Sequence, residues 1–506
     1  MERIYIIMKK IKIISFVVVL LMLFPLQILT ACSKNADNTQ GNANNTTQQD
    51  NSQSGASSET TTESKMLPNV PDNLDLNGFN FRILYELSQG GDWGVRGIDA
   101  EQETGDVIND ATYARNAYVT DKYDFKIDGI TCQVYNLPAS TVKKTVQAGS
   151  DEYDAIIIRE KELPSLIISN CLVNFNTVPG LNFDGPWWDK SIMNQMSIAG
   201  KQFAAFGDYI ICANDALRIM MFNKKMLQDN GLEDPYALVK NGAWTLDKFY
   251  NMSKDAAADL NGDGKMDTND RYGLLMQRGS SVCFSFGAGE TLTSKDAGDL
   301  PVLTTGSERS ILVFQKIWNV LGTPNLVIYD SAFPNTWADL QVAFENNQGL
   351  FFGEVLQLAE RMRASETDFG ILPFPKYDES QENYYAFGDS NCMNDIIIPS
   401  TNQNLEQTGQ ILEILSAESY YTLRPAYYDK SLNGKYVRDE ESSAMLDIVL
   451  SNKLISLDDM FGWGMYSAIQ NALTSKSSDF ASVIDKYTNK VQTSIDKTVS
   501  IFQSLQ

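Results

Sequence analysis

Apolar and polar positions along this chain switch between a strand period and a helix period, and the switches mark its elements. Residues 79–85, Phe-Asn-Phe-Arg-Ile-Leu-Tyr, are rich in aromatic and branched side chains and predict a strand. Residues 106–123 predict a helix, 125–130 a second strand, and 141–148 a short helix closed by Gly149 as its cap. Residues 153–158 predict a buried strand. Strand, helix, strand, helix, strand is the signature of an α/β lobe, with helices packed on a sheet. A second set follows. Residues 202–211 and 217–222 read as strands, and Thr245 caps a helix whose Leu246, Phe249, Tyr250, Ser253 and Ala257 share one face. Helices at 308–320 and 336–346 precede strands at 349–352, 369–373 and 396–399, and the chain from Leu405 onward is mainly helical. No internal repeat is visible.

The N-terminus follows a different rule. An apolar run after Lys9, Lys10 and Lys12 ends in Leu29-Thr30-Ala31-Cys32, the pattern of a secretory signal with a small residue before the cut. The Cys directly after that small residue resembles the lipobox of bacterial lipoproteins, which implies that Cys32 is lipidated and becomes the new N-terminus. The competing expectation is a plain membrane anchor over 11–28, near the ~20 residues a span needs. Met8-Lys9-Lys10 is a more typical signal start than Met1-Glu2. Residues 1–31 are thus expected as signal peptide. Residues 32–65, rich in Ser, Thr, Asn, Gln and Gly, are expected as a tether too polar to fold, with an r.m.s. span of roughly 30 Å.

Composition then narrows the functional classes. The 506 residues leave enough chain beyond the tether for two ordinary domains. A net charge of −23 without Lys/Arg clusters argues against nucleic acid. No histidine is present, which excludes Ser-His-Asp and Cys-His catalysis and His-ligated zinc. Cys132, Cys171, Cys212, Cys283 and Cys392 are odd in number, widely spaced and without a CxxC, so they are expected mostly as buried free thiols.

Three constellations could carry chemistry. In 259–270, oxygen side chains from Asp259, Asn261, Asp263, Asp267 and Asp270 stand at loop positions 1, 3, 5, 9 and 12. Gly264 takes the sharp turn at position 6 and Lys265 offers its backbone carbonyl at 7, the pattern of an EF-hand calcium loop. It also resembles the calcium loop of dockerins, which carry two copies where this chain has one. A weak structural calcium clip is expected, because Asp270 is shorter than the usual Glu. Among the aromatics, Trp93 and Trp463 sit in Gly-flanked loops and suit the flat faces of sugar rings, whereas Trp187, Trp188 and Trp244 are expected in the core. Arg159, Glu160, Asp208, Asp215, Glu354 and Asp389 stand at or near strand ends, where open α/β sheets bind ligands.

The lipobox, the tether and the 259–270 loop occur with Phe222-Asn223-Lys224, Asp234-Pro235-Tyr236, Gly242-Ala243-Trp244-Thr245-Leu246 and Asp368-Phe369-Gly370-Ile371-Leu372-Pro373-Phe374-Pro375. Together they resemble the extracellular solute-binding proteins of bacterial carbohydrate ABC transporters, the family of maltose-binding protein, over essentially the whole folded body. The resemblance implies a type II periplasmic-binding-protein-like α/β fold. It has two lobes, each a sheet flanked by helices, joined by a multi-strand hinge. Residues 70–212 and 354–420 would form lobe 1, and 213–353 and 421–506 lobe 2. The hinge would cross near 208–218, 349–354 and 419–428. It further implies sugar contacts at places comparable to Arg159, Asp215 and Trp463.

The expected function is a binding protein, not an enzyme. It would hold a sugar or oligosaccharide between its lobes and pass it to an ABC permease. It would act as a monomer, lipid-anchored on the outer face of a single-membrane bacterium. The alternatives are a lipid-anchored glycoside hydrolase working with two carboxylates, and a surface glycan adhesin or sensor. A peptide or other polar solute also stays open.

Overall fold

The computed structural model describes residues 65–86, 95–132, 137, 139–432, 440–475 and 479–505. The signal, Cys32, the tether and Trp93 lie outside them. The strands in chain order are β1 (Phe79–Glu86), β2 (Phe125–Cys132), β3 (Ala155–Arg159), β4 (Arg218–Asn223), β5 (Tyr272–Met276), β6 (Thr293–Lys295), β7 (Pro301–Leu303), β8 (Val327–Tyr329), β9 (Gly349–Val355), β10 (Phe369–Leu372), β11 (Ala386–Phe387), β12 (Asn394–Ile397) and β13 (Lys453–Leu454).

Two sheets organise the body. The first runs β12-β3-β1-β2 and the second β10-β4-β9-β5-β8. Their central strands are buried throughout, at all five residues of β3, all six of β4 and all seven of β9, and apolar except for Arg159, Arg218, Asn223 and Glu354 at or near their ends. Such runs suit strands covered by helices on both faces rather than an alternating half-exposed sheet. β1 is parallel to both β2 and β3, as the strand-helix-strand pattern at 79–158 implies. The helix Val107–Tyr123 joins β1 to β2, with the Asp106 carboxylate accepting from the amides of Ile108 and Asn109. Thr245 caps the helix Leu246–Lys254 as expected, its hydroxyl accepting from the Lys248 amide.

Two expectations change. Residues 202–211 form no strand of their own: Ala205 makes a single bridge to Ile396, and Asp208–Ala216 winds in short 3-10 turns. The apolar run there is buried by tertiary packing without a ladder partner. The assignment of 354–420 to the first lobe also needs correction, because β10 pairs antiparallel with β4 in the second sheet. The chain rejoins the first sheet at β12. Among the described residues, no helix is long and apolar enough to cross a membrane.

Candidate functional site

The sheet pairings bring one set of strand ends together. β12 runs antiparallel to β3, so the start of β12 lies beside Arg159 at the end of β3. β4 runs antiparallel to β9, with Arg218 opposite Val355. β5 runs parallel to β9, so both finish at the same edge. A cleft of about 710 Å3 opens where these ends meet. Arg159, Lys161 and Glu162 line it from the first sheet, together with Asp389, Asn391 and Cys392 just before β12. The second sheet contributes Arg218, Glu354, Gln277 and Ser280, and the surrounding helices add Trp337, Tyr466 and Gln470.

The floor of the cleft is a buried ion network. Arg218 Nη1 donates to Glu354 Oε1 at 3.0 Å, and Arg218 Nε donates to Asp389 Oδ2 at 3.1 Å. Gln277 Nε2 donates to Glu354 Oε2 at 2.6 Å, and the Asn391 amide to Asp389 Oδ1 at 2.9 Å. Burial works against the charge on Arg218, but Asp389 and Glu354 outweigh it and raise its pKa. Burial likewise pushes the Asp389 carboxyl up, yet Arg218 and Asn391 together hold it below its ordinary value. Arg159 donates to Glu86 Oε1 and to the Asn391 carbonyl, both at 2.6 Å. Lys161 Nζ donates to Asp459 Oδ1 at 3.0 Å, while Ser390 Oγ bonds the other Asp459 oxygen at 2.5 Å. Burial pushes the Cys392 thiol to about 12, so it lines the wall protonated.

Aromatic faces complete the wall. Trp337 carries the Arg361 guanidinium 5.5 Å from its ring. Behind Tyr466 the Phe387 ring lies at 6.1 Å, itself stacked on Phe286 at 4.2 Å. This layer fixes Tyr466 at the cleft surface.

Of the residues singled out in the sequence, Arg159, Glu354 and Asp389 therefore share the cleft. Among the described residues, the others do not line it. Glu160 follows the strand end by one residue and enters the interior, where one oxygen has no hydrogen-bond partner and burial beside Asp395 holds the carboxyl well above its usual range. Asp208 lines a separate pocket of about 230 Å3 with Arg424 at 3.4 Å, and burial, only partly offset by Arg424, brings it to about 7. Asp215 is clamped by Arg96 and by the Tyr427 hydroxyl at 3.0 Å, a structural tie. Trp463 is 3 % exposed, donates to Thr498 Oγ1 at 2.9 Å and stacks on Phe461. Its flanking glycines serve a turn at positive φ rather than an open platform. Trp187, Trp188 and Trp244 are buried as expected.

Sequence reasoning missed Arg218, Lys161, Glu162, Gln277, Trp337 and Tyr466. Arg218 had a signal, a lone cation opening an otherwise apolar strand. Trp337 had none, since it shares the helix face of Leu340 and Phe344.

In the 259–270 loop, both Asp259 oxygens accept loop amides, from Gly262 at 2.6 Å and Gly264 at 2.8 Å. Asp270 is 1 % exposed and accepts from the amides of Leu260 and Asp267. Among the described residues, no three Asp, Glu or Cys side chains are grouped as for a metal ion. The donor set is all oxygen, and Gly264 turns at φ 80° where the calcium pattern needs its bend.

This architecture is the two-lobed type II fold of periplasmic binding proteins, with a cleft built from strand ends of both sheets. A cyclo/maltodextrin-binding protein complexed with maltotetraose matches it with TM-score 0.56 and 11% identity, over 86% of this chain and 99% of that one. An ABC substrate-binding protein from Listeria monocytogenes in complex with cycloalternan matches with TM-score 0.52 and 11% identity, over 83% and 99%. UgpB from Mycobacterium tuberculosis in complex with glycerophosphocholine matches with TM-score 0.50 and 11% identity, over 79% and 98%. No protein-family model matches the sequence, and no curated protein matches it. At such identities the likeness establishes the fold, and three different ligands in those structures leave the ligand to be argued from the site.

Proposed function

We propose that this protein captures a saccharide in the cleft and presents it to an ABC permease, held outside the cell by a lipid on Cys32. The observation that carries this reading is the composition of the cleft. Trp337 and Tyr466 line it together with bonded carboxylates, amides and guanidinium groups, the combination that receives the C–H faces and hydroxyls of a sugar. Hydrolysis fits less well. A general acid needs a carboxyl with a raised pKa facing the substrate, whereas Asp389 is held down by Arg218, and the raised Glu160 does not line the cleft. Walls from both sheets also suit closure of the lobes on a ligand, which would favour the closed state by its extra contacts there.

The test is thermal unfolding of the purified protein against mono- and oligosaccharides. A saturable rise in Tm with one sugar class and no product supports binding. A rise followed by breakdown favours the hydrolase, and no rise with any sugar overturns the saccharide reading. Calcium in the 259–270 loop is a second proposal. Asp259, Asn261, Asp263, the Lys265 carbonyl, Asp267 and Asp270 would hold the ion, using lone pairs the loop amides leave free. Its contribution there would be rigidity.

A further inference from the structure

Among the described residues, each cation in the cleft wall is already bound to a carboxylate. Arg218 lies between Glu354 and Asp389, with side chains 7%, 4% and 11% exposed. Arg159 pairs with Glu86, whose side chain is 2% exposed. Lys161, the most exposed of the three, pairs with Asp459 at 3.0 Å. A ligand carboxylate or phosphate entering the cleft would have to draw one of these cations away. That would leave a buried carboxylate bare, which is costlier than losing a surface pair.

Glu162 is the exception of opposite sign. It lines the same cleft, one of its oxygens accepts the Ala139 amide at 2.7 Å, and among the described residues it forms no ion pair. Among the described residues the wall thus holds more carboxylates than cations, with Glu162 a lining carboxylate that no cation ties and no cation left without a carboxylate.

We propose that the cleft selects saccharides by charge: it excludes anionic sugars and favours those bearing an amine, which Glu162 receives. This rests on the saccharide reading above. Exclusion follows from the tied cations and the field of Glu162 acting in the same direction on an anion. Preference for the amine follows from Glu162 alone, because a charge-assisted hydrogen bond to a carboxylate is stronger than one to a hydroxyl.

The experiment is isothermal titration of the full-length protein with trimers of defined charge. Maltotriose and cellotriose are the neutral probes, the β-1,4-glucosamine trimer is cationic, and the β-1,4-glucuronate and α-1,4-galacturonate trimers are anionic. The expected order of affinity is cationic, then neutral, then anionic, with at least tenfold between the first and the last. Glu162→Gln is expected to lower the cationic-to-neutral affinity ratio at least threefold. A uronate trimer binding as tightly as any neutral trimer overturns the charge selection while leaving the saccharide reading standing. An unchanged ratio in the Glu162→Gln protein overturns the role of Glu162. No heat with any trimer, joined to a flat melting profile against the wider sugar panel, overturns the saccharide reading and this selection with it.

Discussion

Replacing Arg218 by Met keeps an unbranched apolar stem but removes the guanidinium whose charge holds the cleft floor together. Two carboxylates, Glu354 and Asp389, would then share a buried site without their cation. Breaking a buried pair by removing one partner costs about 3–5 kcal/mol, far more than the ~0–1 kcal/mol of an exposed pair. The pH dependence separates charge from packing. In the native protein Asp389 is held below its ordinary value. Its contribution is therefore full above the unfolded carboxylate pKa of about 3.9 and is lost as pH falls through the lowered native value. In Arg218→Met the Asp389 carboxyl loses the cation that held it down while burial still pushes it up, so its charge weakens the fold most at pH 7 and least once protonated. Urea unfolding followed by circular dichroism and by tryptophan fluorescence, between pH 7 and pH 4.5, reads this directly. The expected deficit is about 3–5 kcal/mol at pH 7, shrinking toward the acid end. A deficit that is constant across that range would refute the electrostatic account and leave only lost packing.

Other consequences are simpler to state. Trp337→Ala should weaken saccharide binding about tenfold by titration calorimetry, from loss of a stacking face worth about 0.5–1.5 kcal/mol beyond its area. Trp463→Ala should lower the unfolding free energy by about 3–5 kcal/mol in urea, as a buried aromatic truncation does. Asp208 has its carboxyl raised to about 7 by burial, with Arg424 only partly opposing. Its charge therefore costs stability progressively as pH rises from about 4 toward 7. Asp208→Asn should flatten that part of the stability profile, and an unaltered slope would contradict the raised value. Millimolar calcium should raise Tm in the native protein and not in Asp259→Ala, and equal shifts in both would exclude the 259–270 loop as the site.

The sequence by itself determined the longer strands and helices, the α/β class and the absence of histidine chemistry, though it missed the central strand β5 and read a strand at 202–211 where none forms. Each of these depends on residue type and near-neighbour spacing. The apolar runs that became β3 and β4 could be read because a fully buried strand needs nothing beyond its own composition, and Thr245 could be read as a cap because its hydroxyl serves an amide three residues on. Only the tertiary structure decided which polar strand ends face a common space. Arg159, Glu354 and Asp389 are far apart in sequence and meet because β12 runs antiparallel to β3 while β4 runs antiparallel to β9. One residue further, Glu160 turns inward, a difference of direction that residue type cannot encode. The same holds for the aromatics. Trp463 between glycines looks open along the chain, but it is sealed by Phe461 and the helix carrying Thr498, while Trp337, with no local mark, lines the cleft. Exposure of a large side chain depends on what packs against it from distant segments, so it is a property of the fold and not of the neighbourhood in sequence.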